Sequence, residues 1–89
     1  VEFESKIIAC APEYSDLPPK TQASLISFSY NVGSGALCQS TLAKRLRAGR
    51  LVEMCDQLLR WDKAGGRTIR GLTIRRKTER EMCLEGLAG

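Results

Sequence analysis

Apolar residues along this chain cluster at spacings of three and four, and no segment shows the strict alternation of a half-buried strand. Val1, Phe3, Ile7 and Ile8, with charged residues between them, predict a short amphipathic helix over Val1 to Cys10, or the tail of a longer one. That helix starts abruptly, with neither a capping residue nor an initiator Met, which points to removal of material upstream. Ala11 to Leu17 reads as a loop closed by Pro18 and Pro19. A helix then starts at Pro19 or Lys20, because proline is tolerated in a first turn where its missing N–H has no intrahelical partner. Leu25, Phe28 and Val32, with Ile26 and Tyr30 beside them, make this the expected central buried helix. It stops in the run from Asn31 to Gly35, where glycine supplies the left-handed conformation that ends helices.

Ser40 is placed to cap a short helix that carries Leu42 and Leu46 and ends at Gly49. A further helix runs from about Leu51 to Arg60, with Leu51, Val52, Cys55, Leu58 and Leu59 on one face and Trp61 at its end. Asp62 to Gly71 is a turn or loop. The last helix spans roughly Leu72 to Leu87, and its middle, Arg75 to Glu81, is almost wholly charged. Arg75 with Glu79, and Lys77 with Glu81, stand at i,i+4 spacing to support it on a solvated face. Leu72, Ile74, Met82, Cys83, Leu84 and Leu87 can anchor only its two ends. The expected fold class is all-α, about five helices in one domain over 1–89.

The 89 residues suit one small domain with a thin core. Fourteen basic against ten acidic residues leave +4, a surplus that favours polyanions without choosing among nucleic acid, anionic lipid and an anionic envelope. No apolar run approaches the roughly 18 residues that span a bilayer, and the first residues do not form a signal peptide. Cys10, Cys38, Cys55 and Cys83 are an even set with no CxxC spacing, in a chain without His. They argue against a zinc site and towards two disulfides in an oxidising compartment, with buried free thiols in a cytosolic protein as the alternative. Of the three connectivities, Cys10 with Cys38 and Cys55 with Cys83 is favoured, because the second pair joins two predicted helices at their apolar faces.

Without His, neither a Ser-His-Asp nor a Cys-His arrangement exists within the chain. Gly65-Gly66 follows no strand and is a weak phosphate-loop signal. Paired carboxylates can hydrolyse a glycosidic bond, but the ten here sit mostly among charged neighbours. None has the apolar flanks that raise a carboxyl into the range of a general acid. The residues alone point to no catalytic site, metal or cofactor.

Leu17-Pro18 followed by Gln22, Ser27-Phe28 followed by Asn31-Val32-Gly33, Ser40-Thr41-Leu42, Trp61, Gly65-Gly66, and Gly71-Leu72 leading to Arg75-Arg76 and Glu79-Arg80 form a separated set of motifs. In these the stretch from about Leu17 to Gly86 resembles the phage-type lysozymes, the endolysins of lambdoid phages in glycoside hydrolase family 24. The resemblance implies a two-lobed muramidase that cuts the β-1,4 bond between N-acetylmuramic acid and N-acetylglucosamine in peptidoglycan. It implies a Glu general acid on an N-terminal helix, then an Asp and a Thr near a TIGYGH-like hairpin. None of these motifs occurs here, and the surroundings of Glu2 and Glu4 do not match the Glu motif. The match therefore covers the helical C-terminal lobe, over residues 17–87, with 1–16 as the end of an interlobe helix and a loop.

That lobe forms one wall of the glycan groove in the family. By position, Asn31 is implied to face the cleft, with a helix C-cap before Gly33 as its structural alternative. Trp61 is either a sugar-stacking face or core. Arg75 and Arg76 are candidates for peptide-stem carboxylates or the anionic envelope, or are a solvated helix face. Arg67 and Arg70, beside two glycines, are better placed to reach a ligand. The implied partners are peptidoglycan glycan strands and the N-terminal catalytic lobe, with no nucleic acid, in the periplasm or outside the cell. Two alternatives compete: a stand-alone module binding peptidoglycan or another anionic envelope polymer, and a basic DNA-binding domain reading the major groove with its last helix. Glu79, Glu81 and Glu85 on that helix oppose the second.

Overall fold

A computed structural model describes residues 2–89, with side chains from Glu4 onward. The expected parts played by Val1 and the side chain of Phe3, and the surroundings of Glu2, lie outside the described residues. Helix α1 (Glu2–Cys10) leads through a single 3₁₀ turn (Pro12–Asp16) into α2 (Pro19–Val32). Short helices α3 (Ser34–Gln39), α4 (Thr41–Arg47) and α5 (Leu51–Gln57) follow, the last continued by a 3₁₀ turn (Leu58–Arg60). A two-stranded hairpin, β1 (Lys63–Ala64) and β2 (Arg67–Thr68), then delivers the chain to α6 (Arg70–Ala88). The all-α expectation holds for the fold, with α3 added between two predicted helices and the hairpin inside the predicted loop Asp62 to Gly71.

The local causes are readable. Proline occupies the first turn of α2, and Gly33, at φ +92°, ends it. The Ser40 hydroxyl oxygen accepts from the Ala43 N–H at 3.2 Å, capping α4. In the hairpin, Lys63 pairs with Thr68 and Ala64 with Arg67. Gly65 and Gly66, at φ +59° and +79°, supply the two left-handed residues that a tight two-residue turn requires. The expected loop at Ala11 to Leu17 is instead an ordered turn that buries Tyr14.

One core joins all the helices: Ile7 and Ala11 from the N-terminal part, Leu25 and Phe28 from α2, Leu37, Leu42 and Leu46 from α3 and α4, then Met54, Leu58 and Cys83. Disulfides Cys10–Cys38 and Cys55–Cys83 tie α1 to α3 and α5 to α6. Four apolar residues expected inward point out, Tyr30 of α2 the furthest at 77% exposure. Val52 and Leu59 are 59% and 38% exposed, because α5 turns Met54, Cys55 and Leu58 inward, and Ile74 is 54% exposed.

The most extensive packing is between α2 and α6. Residues 76, 79, 83 and 86 recur on one stripe of α6 and are all buried, facing Thr21, Ser24, Leu25 and Phe28 of α2. The Thr21 hydroxyl donates to the Cys83 carbonyl at 2.9 Å. Gly86 leaves no room beside Thr21: a Cβ there would lie 2.6 Å from the Thr21 backbone nitrogen. Gly35, in contrast, sits in α3 with no heavy atom within 4 Å of its Cβ position. Gly86→Ala is expected to destabilise the chain by about 1–3 kcal/mol, whereas Gly35→Ala should stabilise it by roughly 0.5–1 kcal/mol. Urea denaturation midpoints of the two variants check the contrast, and equal shifts would contradict the close α2–α6 packing.

Candidate functional site

The last helix was expected to carry a solvated charged middle, and that expectation fails at Arg76 and Glu79. Arg76 is 0% exposed and Glu79 3%. They pair at i,i+3 in place of the i,i+4 pairs expected on that face: Arg76 Nη2 donates to Glu79 Oε2 at 3.1 Å, and Nε stands 2.9 Å from Oε1, off hydrogen-bond alignment. The Ser27 hydroxyl donates to the same carboxylate from α2. The guanidinium carbon lies 5.1 Å from the centre of the Phe28 ring, where the face of the ring attracts a cation. Arg80, one turn on, reaches Asp56 at 2.8 Å and ties α6 to α5.

Burial sets the titration of this pair. Desolvation raises the Glu79 pKa above its ordinary value, against the Ser27 hydrogen bond and the charge of Arg76, both of which lower it. Desolvation likewise pulls Arg76 down, opposed by the charge of Glu79. The sequence assigned no carboxylate apolar surroundings, yet Glu79 has them, because its neighbours in space come from α2 and not from its own turn. Tyr14 is a second buried polar group. Its hydroxyl donates to Glu4 Oε2 at 3.2 Å, and burial followed by the Glu4 charge pushes its pKa well above the ordinary tyrosine value.

An open cleft of about 510 Å³ runs past Glu79 between α2 and α6, with Ser27, Ile74, Thr78 and Met82 in its walls and Arg75 at its side. Glu79 is the one acid lining it. Hydrolysis of a glycosidic bond by two protein carboxyls needs a pair roughly 5–9.5 Å apart, and this cleft offers one, already held by Arg76. Among the described residues no cluster of Cys, Asp and Glu could hold a metal ion.

The residues singled out from the sequence are dispersed. Asn31 is exposed at the end of α2; Gly33 is the cap, and the Asn31 amide has no hydrogen-bond partner among the described residues. Trp61 is half-buried and meets Phe28 edge-on, with ring centres 5.3 Å apart at 77°. Phe28 thus joins Trp61 on one side to Arg76 on the other. Arg67 and Arg70 are exposed on the hairpin and at the start of α6, and Arg75 is exposed beside the cleft. Arg76 does not reach solvent, so a ligand cannot meet its guanidinium without the α2–α6 seam opening. Ser27 and Glu79 were missed as a pair. The signal that could have found them is the spacing of 76, 79, 83 and 86, which puts two charges on one stripe with a cysteine and a glycine.

The family model for phage lysozyme matches residues 1–79. The chain is 48% identical over 71 residues to the SAR-endolysin of Enterobacteria phage PA-2, covering 80% of this chain and 43% of that relative. It is 47% identical over 62 residues to the endolysin of Bacillus phage B103, covering 70% of this chain and 24% of that one. In three dimensions it is similar to the active form of P1 phage endolysin Lyz, with a TM-score of 0.80 at 28% identity over 91% of this chain and 52% of that one. The chain therefore spans less than half the length of these two curated relatives.

The buried pair makes two expectations. Arg76→Met should cost about 3 kcal/mol or more, because it leaves a carboxylate buried without its cation; a urea midpoint close to the parent's would contradict this. For Glu79 the folded pKa is raised, so its contribution to stability is fully present below the ordinary value of 4.5 and is lost as pH rises through the folded value. The stability of the parent relative to Glu79→Gln should therefore fall as pH rises above that point, as measured by denaturation across pH.

Proposed function

Because this chain belongs to the phage lysozyme family, we propose that it supplies the substrate-binding wall of a peptidoglycan muramidase, and that cleavage of the β-1,4 bond between N-acetylmuramic acid and N-acetylglucosamine depends on a catalytic lobe outside these residues. The observation that carries this reading is the family match over residues 1–79 in a chain whose one buried acid among the described residues is locked to Arg76 with no second carboxylate in its cleft. Residues 17–87 then correspond to the C-terminal lobe, and residues 1–16 to the end of the interlobe helix, packed into the same core through Ile7, Ala11 and Tyr14.

In this reading Asn31 meets the sugar. Its exposed amide can donate to and accept from N-acetyl and hydroxyl groups. Trp61 serves mainly to brace Phe28 and offers the glycan its remaining open surface. Arg67 and Arg70 face carboxylates of the wall. Arg76 acts from inside, holding Glu79 and Phe28 in place and not touching substrate. Work on the wall places the protein in the periplasm or outside the cell, where two disulfides persist.

Incubation of the 89-residue chain with purified sacculi tests the proposal. Co-sedimentation without new reducing ends is expected, and Asn31→Ala should weaken it roughly 3- to 10-fold, the worth of about one hydrogen bond. Release of reducing ends by this chain alone would overturn the division of labour.

A further inference from the structure

From Lys63 to Thr78 the chain carries no carboxylate. The two acids that bound this stretch are occupied: Asp62 lies 3.9 Å from Lys63 and accepts from the Thr73 hydroxyl at 3.1 Å, and Glu79 is buried against Arg76 and Ser27. Every residue from Lys63 to Gly71 is exposed, so the hairpin stands out from the helices with both of its faces open. Arg67 and Arg70 are exposed on it, and Lys63, though beside Asp62, keeps its side chain 60% exposed. The outward stripe of α6 continues the surface as Arg70, Ile74 and Lys77, at i, i+4 and i+7, until the exposed Glu81 closes it. Set among these cations are two bare isoleucines, Ile69 at 42% and Ile74 at 54% exposure.

We infer that the hairpin and the first two turns of α6 form a docking surface for an anionic phospholipid membrane, with Lys63, Arg67, Arg70 and Lys77 against headgroup phosphates and Ile69 and Ile74 at the acyl boundary. Cations interleaved with exposed aliphatic side chains are the composition of an interfacial contact. A nucleic acid backbone has equal use for the cations but none for the isoleucines, and this surface offers no exposed aromatic ring on which bases would stack. The surface does not span the bilayer: no helix among the described residues is long and apolar enough to cross a membrane. The inference goes beyond the groove-wall reading: it shares Arg67 and Arg70 with that reading but not Asn31 or Trp61, and vesicles without glycan test it apart from the wall.

Vesicle co-sedimentation separates the two. The 89-residue chain is mixed with vesicles of phosphatidylcholine alone and with vesicles of phosphatidylcholine and phosphatidylglycerol, neither of which contains glycan. Binding to the anionic vesicles and not to the neutral ones is expected. Arg67→Glu with Arg70→Glu should weaken it at least about 10-fold, and Ile69→Ser with Ile74→Ser should weaken it several-fold at unchanged charge. All four side chains are exposed, so both variants should retain the parent's helical circular dichroism. Absence of binding to anionic vesicles would overturn the inference. So would anionic binding by the double serine variant equal to the parent's, or displacement of the chain from vesicles by duplex DNA at lower concentration than by added anionic vesicles.

Discussion

The ion pair between Arg76 and Glu79, sealed between α2 and α6, is the constraint on which the rest of the structure depends. A charge pair in a small core is costly to desolvate, and this one keeps Arg76 Nε and Nη1 and Glu79 Oε1 buried without a hydrogen-bond partner, so its few remaining contacts must be held closely. Here Ser27 takes part of the carboxylate and the Phe28 ring faces the guanidinium, so α2 must lie in one register along α6. The other end of the seam enforces the same register through the Thr21 hydroxyl on the Cys83 carbonyl and the bare Gly86 beside it. Two polar contacts and one absent side chain thus do what a row of leucines does in an ordinary helix pair.

What the seam positions is Trp61 and the hairpin that follows it. Phe28 sits between Arg76 and Trp61, so the edge-on contact that holds Trp61 depends on the pair below it. Trp61 in turn ends α5 and starts the hairpin, whose exit residue Ile69 donates its N–H back to the Asp62 carbonyl at 2.8 Å. The disulfides reinforce this arrangement, Cys55–Cys83 from the seam itself and Cys10–Cys38 from outside it. Each closes a span of 28 residues, which in the chain-entropy view removes roughly 3–4 kcal/mol of freedom from the unfolded chain. For 89 residues with a thin core, that is a large share of a typical net stability of about 5–15 kcal/mol.

The helices with a single apolar face were legible in the sequence, as were the Ser40 cap, the Gly33 stop and the disulfide pairing. Each rests on short-range chemistry: a cap, a turn residue, a period. What was not legible depends on which element faces which. Val52 and Leu59 looked inward by period, but the inward face of a seven-residue helix is chosen by its neighbours, and Met54 with Cys55 took it. Arg76 and Glu79 looked solvated because a charged run is usually a solvated face, and nothing local announces that an opposing helix supplies Ser27 and Phe28. The family resemblance came from scattered motifs. It singled out Asn31 and Trp61 without showing that Phe28 joins Trp61 to the buried pair.

The same helix therefore treats its charges in two ways, and the division explains how a net charge of only +4 becomes a strongly basic surface. Inward, Glu79 neutralises Arg76 and removes both from the surface. Outward, Arg70, Arg75 and Lys77 keep their charges, and the hairpin adds Arg67 and Lys63, the last beside Asp62, with no acid within the stretch from Lys63 to Thr78. The carboxylates that balance the sum lie elsewhere, at Glu53 against Arg45 and Arg50, at Asp56 against Arg80, and at Glu4 under Tyr14. Internal pairing thus leaves one end of the molecule cationic.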